Sequence, residues 1–197
     1  MDRLLGTLFL IIAIPIILVL ALLVQIVDPG PPFFSQHRIG YRGKDIKIWK
    51  IRSMYLDSQQ LLDTLLVENP AIKAEWETFF KLKNDPRIIP GIGNFMRKFS
   101  LDELPQLLSV ISGELSLVGP RPFPSYHIDR FDNEFRQLRC SVLPGVTGLW
   151  QVSARSDSDL EMQKAIDSYY INNWSIWLDA RILVSTLKAV IFSKGAY

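Results

Sequence analysis

Residues 4–27 read LLGTLFLIIAIPIILVLALLVQIV, a run of 24 positions without one charged side chain. As a helix rising about 1.5 Å per residue it reaches about 36 Å, enough to cross a hydrocarbon core about 30 Å thick. The run is too long for the apolar region of a signal peptide. It is followed by Asp28-Pro29-Gly30-Pro31-Pro32 rather than by a small-residue cleavage site. Pro15 near its middle removes one backbone hydrogen bond and crowds the preceding turn, so a kink is expected there. Two topologies fit: a kinked spanning helix, or a re-entrant helix that turns at Pro15 and leaves by the face it entered. Arg38, Arg42, Lys44, Lys47, Lys50 and Arg52 follow the run and place its C-terminal side in the cytoplasm. Residues 1–30 are thus read as a hydrophobic membrane helix kinked at Pro15, and 31–197 as one cytoplasmic domain.

Working outward, 197 residues suit a single core. Lys and Arg number 22 against 20 Asp and Glu, so the surface is not the uniformly basic one that binds nucleic acid. Cys140 is the only cysteine, which excludes an internal disulfide and fits a reducing compartment. His37 and His127 stand far apart, with no HExxH spacing, and read as ordinary surface or core residues. Gln36 to Tyr41 and the alternating Ile46, Ile48 and Ile51, with a turn at Gly43, predict short strands. Ser58 to Phe80 predicts helix with a break at Asn69-Pro70. The glycines form neither a Walker A loop nor a GxGxxG turn.

Residues 94–122, NFMRKFSLDELPQLLSVISGELSLVGPRP, gather carboxylates, guanidinium groups and rigid turns around one short helix. Leu104, Leu107, Leu108 and Ile111 mark its buried face, and Gly113 stops it. Ser100 followed by Glu103 has the spacing of a capping box, while Pro105 favours a start at Asp102. Under either start Asp102 and Glu103 lie at the positive end of the helix, which favours their ionised forms. Arg97, Lys98 and Arg121 supply the cations that phosphoryl transfer requires, and Arg121 is stiffened by Pro120 and Pro122. Pro144 to Gln151 is a tight Gly-rich loop, followed by Arg155.

These motifs resemble the bacterial sugar transferases, or monotopic phosphoglycosyl transferases, over nearly the whole chain. The undecaprenyl-phosphate galactose phosphotransferase type is the most similar. The resemblance is carried by Asp28-Pro29-Gly30-Pro31, Gln36-x-Arg38-x-Gly40, Lys50-Ile51-Arg52-Ser53-Met54, Asn84-Asp85-Pro86-Arg87 and Ser100-Leu101-Asp102-Glu103-Leu104-Pro105-Gln106-Leu107. Leu117-Val118-Gly119-Pro120-Arg121-Pro122 and Pro144 to Val152 continue it, and the ending Lys194-Gly195-Ala196-Tyr197 looks like the galactose type. It implies that Asp102 attacks the sugar-bearing phosphate of a UDP-sugar and expels UMP, forming an aspartyl phosphosugar that undecaprenyl phosphate then attacks. It implies a Mg²⁺ ion at Asp102, with Glu103 as acid/base or orienting partner. Arg97 and Arg121 would hold phosphate, Arg155 would reach the nucleotide sugar, and Lys50 and Arg52 are further substrate-binding candidates. The family's Asn-Gly-Arg or Ser-Gly-Arg motif commonly has Gly where Ala154 stands here, and its re-entrant helix breaks at Ser-Pro where this chain has Ile14-Pro15.

Tyr169, Tyr170, Trp174 and Trp177, followed by Leu183, Val184, Leu187, Val190 and Ile191, suit an amphipathic segment at a bilayer interface or, with the same spacing, a core helix; the lipid substrate that the resemblance implies favours the interface. The expected fold is a helix-rich, membrane-associated α/β domain. It has an N-terminal re-entrant helix, a compact catalytic domain with a small sheet or hairpin, and interface helices. The implied setting is the cytoplasmic face of the bacterial inner membrane, at the start of exopolysaccharide, O-antigen or capsule assembly. The partners are UDP-sugar, undecaprenyl phosphate and the lipid bilayer, with no nucleic acid and oligomerisation open. Two other classes compete: a metal-dependent glycosyltransferase using Asp157-Ser158-Asp159 as a DxD motif, and a non-catalytic membrane scaffold whose carboxylates only cap a helix.

Overall fold

The computed structural model describes residues 1–80, 82–153 and 160–192. Helix α1 (Asp2–Val27) is continuous, with Pro15 inside it. Its buried face consists of Gly6, Ala13, Ile17, Leu20, Ala21 and Val24. Gly6 is required there, because a Cβ would come within 3.0 Å of Val110 Cγ1. The other face leaves Leu4, Leu8, Ile11, Leu18, Leu22 and Ile26 between 52% and 80% exposed. An apolar stripe of this length is suited to lipid rather than water.

Both ends of α1 are bonded to the same body. At the start, the Asp2 carboxylate accepts from Ser116 Oγ at 2.5 Å and from the Leu117 amide at 3.3 Å. At the end, the buried Arg52 guanidinium donates to the Asp28 carboxylate, the Asp28 carbonyl and the Pro31 carbonyl.

The expected strands form a hairpin. Strands β1 (Phe33–Ile39) and β2 (Asp45–Ile51) pair antiparallel, Phe33 opposite Ile51, across a single 3₁₀ turn at Tyr41–Gly43. Alternation along β2 buries Ile46 and Ile48 and carries Lys50 on the same side, while Lys47 and Trp49 face out. Helices α2 (Ser58–Glu68) and α3 (Pro70–Phe79) break where expected, because the Asn69 side chain caps α3 by accepting from the Ala71 and Ile72 amides. Of the leucine stripe in α2, Leu62 alone is buried.

After α4 (Ile92–Lys98) the backbone corrects the sequence reading. Ser100 takes a left-handed conformation, φ 55°, and its side chain caps nothing. Leu101–Gln106 is a 3₁₀ segment that tolerates Pro105, and α5 (Leu107–Ser112) begins only afterwards, ending at Gly113 with φ 86°. The later start rotates the buried face: Val110 is fully buried and Leu108 is 53% exposed. Asp102 and Glu103 are therefore not caps.

Strand β3 (Ser116–Val118) leads to Pro120-Arg121, then to α6 (Ser125–Ile128) and α7 (Asn133–Cys140). It pairs parallel with β4 (Gly145–Thr147). Glycine is obligatory at this crossing, since a Cβ on Gly145 would lie 2.1 Å from the Gly119 nitrogen. Helices α8 (Leu149–Ser153), α9 (Leu160–Asn172) and α10 (Ile176–Phe192) complete the described chain. Tyr170, expected at the interface, is instead buried. It donates to Asp179 Oδ1 at 2.8 Å, whose other oxygen accepts from Trp174 Nε1. Tyr169, Trp174 and Trp177 are 57%, 61% and 82% exposed. One core unites the body: Val24 of α1, Ile48, Ile51, Ile89, Met96, Val110, Leu115 and Ile182 are fully enclosed. The architecture is the expected helix-rich α/β domain with small sheets and a long apolar N-terminal helix.

Candidate active site

The 3₁₀ segment lies across β2, α1 and α4, which brings Glu103 to the inward face of the hairpin. Lys50 Nζ donates to Glu103 Oε1 at 2.6 Å. Arg121 grips the same carboxylate with both arms, Nη2 to Oε1 at 2.5 Å and Nη1 to Oε2 at 3.2 Å, the fork geometry that matches guanidinium to carboxylate. The Arg121 backbone is held in turn by Arg139 on α7, whose Nη2 donates to the Arg121 carbonyl at 2.6 Å. Arg139 is buried. It pairs with the buried Asp167 at 2.9 Å and lies 3.9 Å from the centre of the Phe123 ring.

Beside this clamp is a cleft of about 700 Å³. Asp102 lies in its wall, 6% exposed, and among the described residues its carboxylate accepts no hydrogen bond. Arg97 lines the same wall with its buried Nε also lacking a partner. Phe9, Ile12 and Ile16 of α1 and Leu183, Leu187 and Val190 of α10 form an apolar side, so the polar centre opens onto the apolar helix α1.

The two adjacent carboxylates are shifted in opposite directions. Burial pushes the Asp102 carboxyl above its ordinary value. The Lys50 charge opposes the rise, Glu103 adds to it, and Arg97 and Arg121 oppose it further. Burial would raise Glu103 as well, but Arg121 and Lys50 outweigh it and hold that carboxyl far below the carboxylate range. A carboxylate so held has no proton to give; Asp102 is the unengaged oxygen donor.

Of the residues singled out in the sequence, Lys50, Arg97, Asp102, Glu103 and Arg121 thus meet at one cleft. Arg52 does not line it: its guanidinium is bonded at the end of α1. Lys98 is exposed and rests over Phe99 at 5.7 Å, outside the cleft. Arg155 and the Asp157-Ser158-Asp159 motif lie outside the described residues, as do Lys194 to Tyr197. Sequence reasoning missed Arg139 and the role of Arg38, which lines the cleft. Arg38 stood inside the quoted Gln36-x-Arg38 motif, whereas nothing around Arg139 signals that it supports Arg121.

The fold and this cleft define a class: an α/β domain built around an apolar helix, with a free buried aspartate among cations at the helix's side. The chain belongs to the bacterial sugar transferase family, whose profile matches residues 1–193. It is 45% identical over 196 residues to the undecaprenyl-phosphate galactose phosphotransferase of Salmonella typhimurium, covering all of this chain and 40% of that protein. It is 40% identical over 196 residues to the exopolysaccharide production protein ExoY of Sinorhizobium fredii, covering 86% of that protein. To the UDP-glucose:undecaprenyl-phosphate glucose-1-phosphate transferase of Escherichia coli K12 it is 37% identical, covering 40% of that protein. The chain therefore spans about two fifths of the length of several curated relatives it matches.

Proposed function

We propose that this chain transfers a sugar 1-phosphate from a UDP-sugar to undecaprenyl phosphate on the cytoplasmic face of the membrane, releasing UMP. The observation that carries it is the Asp102 carboxylate, without a hydrogen-bond partner among the described residues, at a cation-lined cleft with one wall made by the apolar helix. The names of the relatives, which include galactose and glucose phosphotransferases acting on undecaprenyl phosphate, support the substrate classes, with galactose as the leading sugar.

In this reading an Asp102 oxygen attacks the sugar-bearing phosphorus. The bond from that phosphorus to the bridging oxygen breaks, and its electron pair leaves on UMP. A phosphate oxygen of the lipid then attacks the aspartyl phosphosugar, and the carboxylate of Asp102 is the leaving group. Arg97 and Arg121 neutralise charge on the phosphates. Glu103 acts as the orienting partner, holding Lys50 and Arg121 in place. Mg²⁺ suits the donor set, because it is commonly held by one or two carboxylates with substrate phosphates rather than by a protein cage, and Asp102 offers the free oxygen. Bound there it would offset phosphate charge as a Lewis acid.

Both ends of α1 bond to one body, which supports a helix held at a single membrane face rather than one passing through. The test of the reaction is intact-protein mass spectrometry with Mg²⁺ and a panel of UDP-sugars. A sugar-phosphate adduct on the wild type with UMP released, and neither with Asp102→Asn, is the expected outcome. Release of UDP, or an Asp102→Asn that matches wild type across the panel, would sink it in favour of a DxD enzyme or a scaffold.

A further inference from the structure

Part of the cleft lining is aromatic. Pro122-Phe123-Pro124 leads into the short α6, which lays the His127 ring on Phe123 with centroids 4.0 Å apart and planes 2° from parallel. Phe80, set by its left-handed backbone after α3, lies 4.8 Å from His127. Tyr126 tilts over Phe80 at 5.7 Å and keeps 54% of its surface open at the cleft. The other three rings brace one another, so Tyr126 offers the accessible face.

Arg38 projects into the cleft from β1. Its hydrogen-bond partner is the neutral Gln36, and among the described residues no carboxylate is paired with it. Burial lowers its pKa, and the next influence is the charge of Arg121, followed by Tyr126 and Glu103. Arg38 is tied to the rings through the backbone: the amide of its neighbour Ile39 donates to the Phe123 carbonyl at 2.9 Å, two residues beyond Arg121. Arg121 is bonded to Glu103, the neighbour of Asp102, so the cleft lining runs from Asp102 through Arg121 to Arg38 and the rings.

That order matches a diphosphate donor read from its reacting end. The sugar-bearing phosphorus must reach Asp102. The second phosphate lies one unit further, and a planar base lies beyond it. We propose that Arg38 binds the phosphate that departs with the nucleoside and that the open face of Tyr126 receives the base. This rests on the UDP-sugar reading above and assigns the leaving group its own subsite. A base stacked on an aromatic ring and a phosphate on an otherwise unpaired guanidinium are both recognised interactions.

The experiment is equilibrium binding of UMP, uridine and galactose 1-phosphate to detergent-solubilised wild type, Arg38→Met, Arg38→Lys and Tyr126→Leu. Arg38→Met should weaken UMP roughly ten- to a hundredfold while leaving uridine unchanged, which also shows that the variant is folded. Arg38→Lys should recover part of the loss, because it keeps the charge but not the fork. Tyr126→Leu should weaken UMP and uridine by similar factors. Neither change should alter galactose 1-phosphate binding. If UMP binds both variants as it binds wild type, or if galactose 1-phosphate is the ligand weakened, the subsite is overturned even where wild type still releases UMP. A wild type that releases UDP removes the reaction reading, and the subsite with it.

Discussion

Asp102 and Glu103 are neighbours in sequence, yet their carboxyls shift in opposite directions because of what each side chain reaches. Glu103 meets Lys50 and Arg121 and is held ionised, whereas Asp102 is buried with no hydrogen-bond donor among the described residues, and burial raises its carboxyl. If Glu103 orients the two cations rather than moving a proton, Glu103→Gln should slow adduct formation roughly 10- to 100-fold without changing the shape of the pH–rate profile. A profile that loses a limb would show that Glu103 titrates in the reaction. His127 gives a second prediction. Burial, then the Arg139 charge, lower its pKa from 6.5 to about 4. The unfolded chain then takes up a proton between these values while the folded chain does not, so this site's contribution to stability is lost as pH falls from 6.5 towards 4. His127→Phe should flatten that part of the stability curve, measured by urea unfolding at stepped pH.

At the scale of elements, the Pro-Arg-Pro segment is positioned from behind by α7 and α9. Arg139 and Asp167 form a buried pair, and removing one partner strands the other charge in a low-dielectric setting. Asp167→Asn should therefore cost about 3–5 kcal/mol of unfolding free energy, read from the shift in denaturation midpoint. The motif residues Asp102, Glu103 and Arg121 were legible in sequence, since their types and spacing already suggest phosphate chemistry. The element carrying them was not. Left-handed Ser100 and the 3₁₀ segment displaced the start of α5, and capping patterns do not encode that choice. Arg52 shows what motif resemblance leaves open: it stood with Lys50 in one motif, but Lys50 ends up on the cleft while Arg52, one residue past the end of β2, binds the end of α1.

At the scale of the molecule, α1 joins an apolar outer face long enough for a bilayer to an inner face that is part of the core. Its outer face is apolar and exposed, its inner face reaches the central core at Val24, and Asp2 and Asp28 each bond to the same domain. Single cysteines placed at Met1 and Lys44 in a Cys140→Ser background should react alike with a membrane-impermeant maleimide, both from the cytoplasmic side of inverted vesicles. Opposite labelling of the two positions would mean that the helix spans the bilayer.

Composition and motif spacing alone determined that this chain carries a membrane-long apolar helix, a hairpin and the cationic Asp-Glu segment of its family, because hydrophobic length, strand alternation and residue type are local properties. The tertiary structure decided which groups are free. Among the described residues Asp102 is without a hydrogen-bond partner, Glu103 is clamped, Arg52 is bonded at the end of α1 and Arg38 lines the cleft, because hydrogen bonds and charges between residues distant in sequence are fixed only when the elements pack.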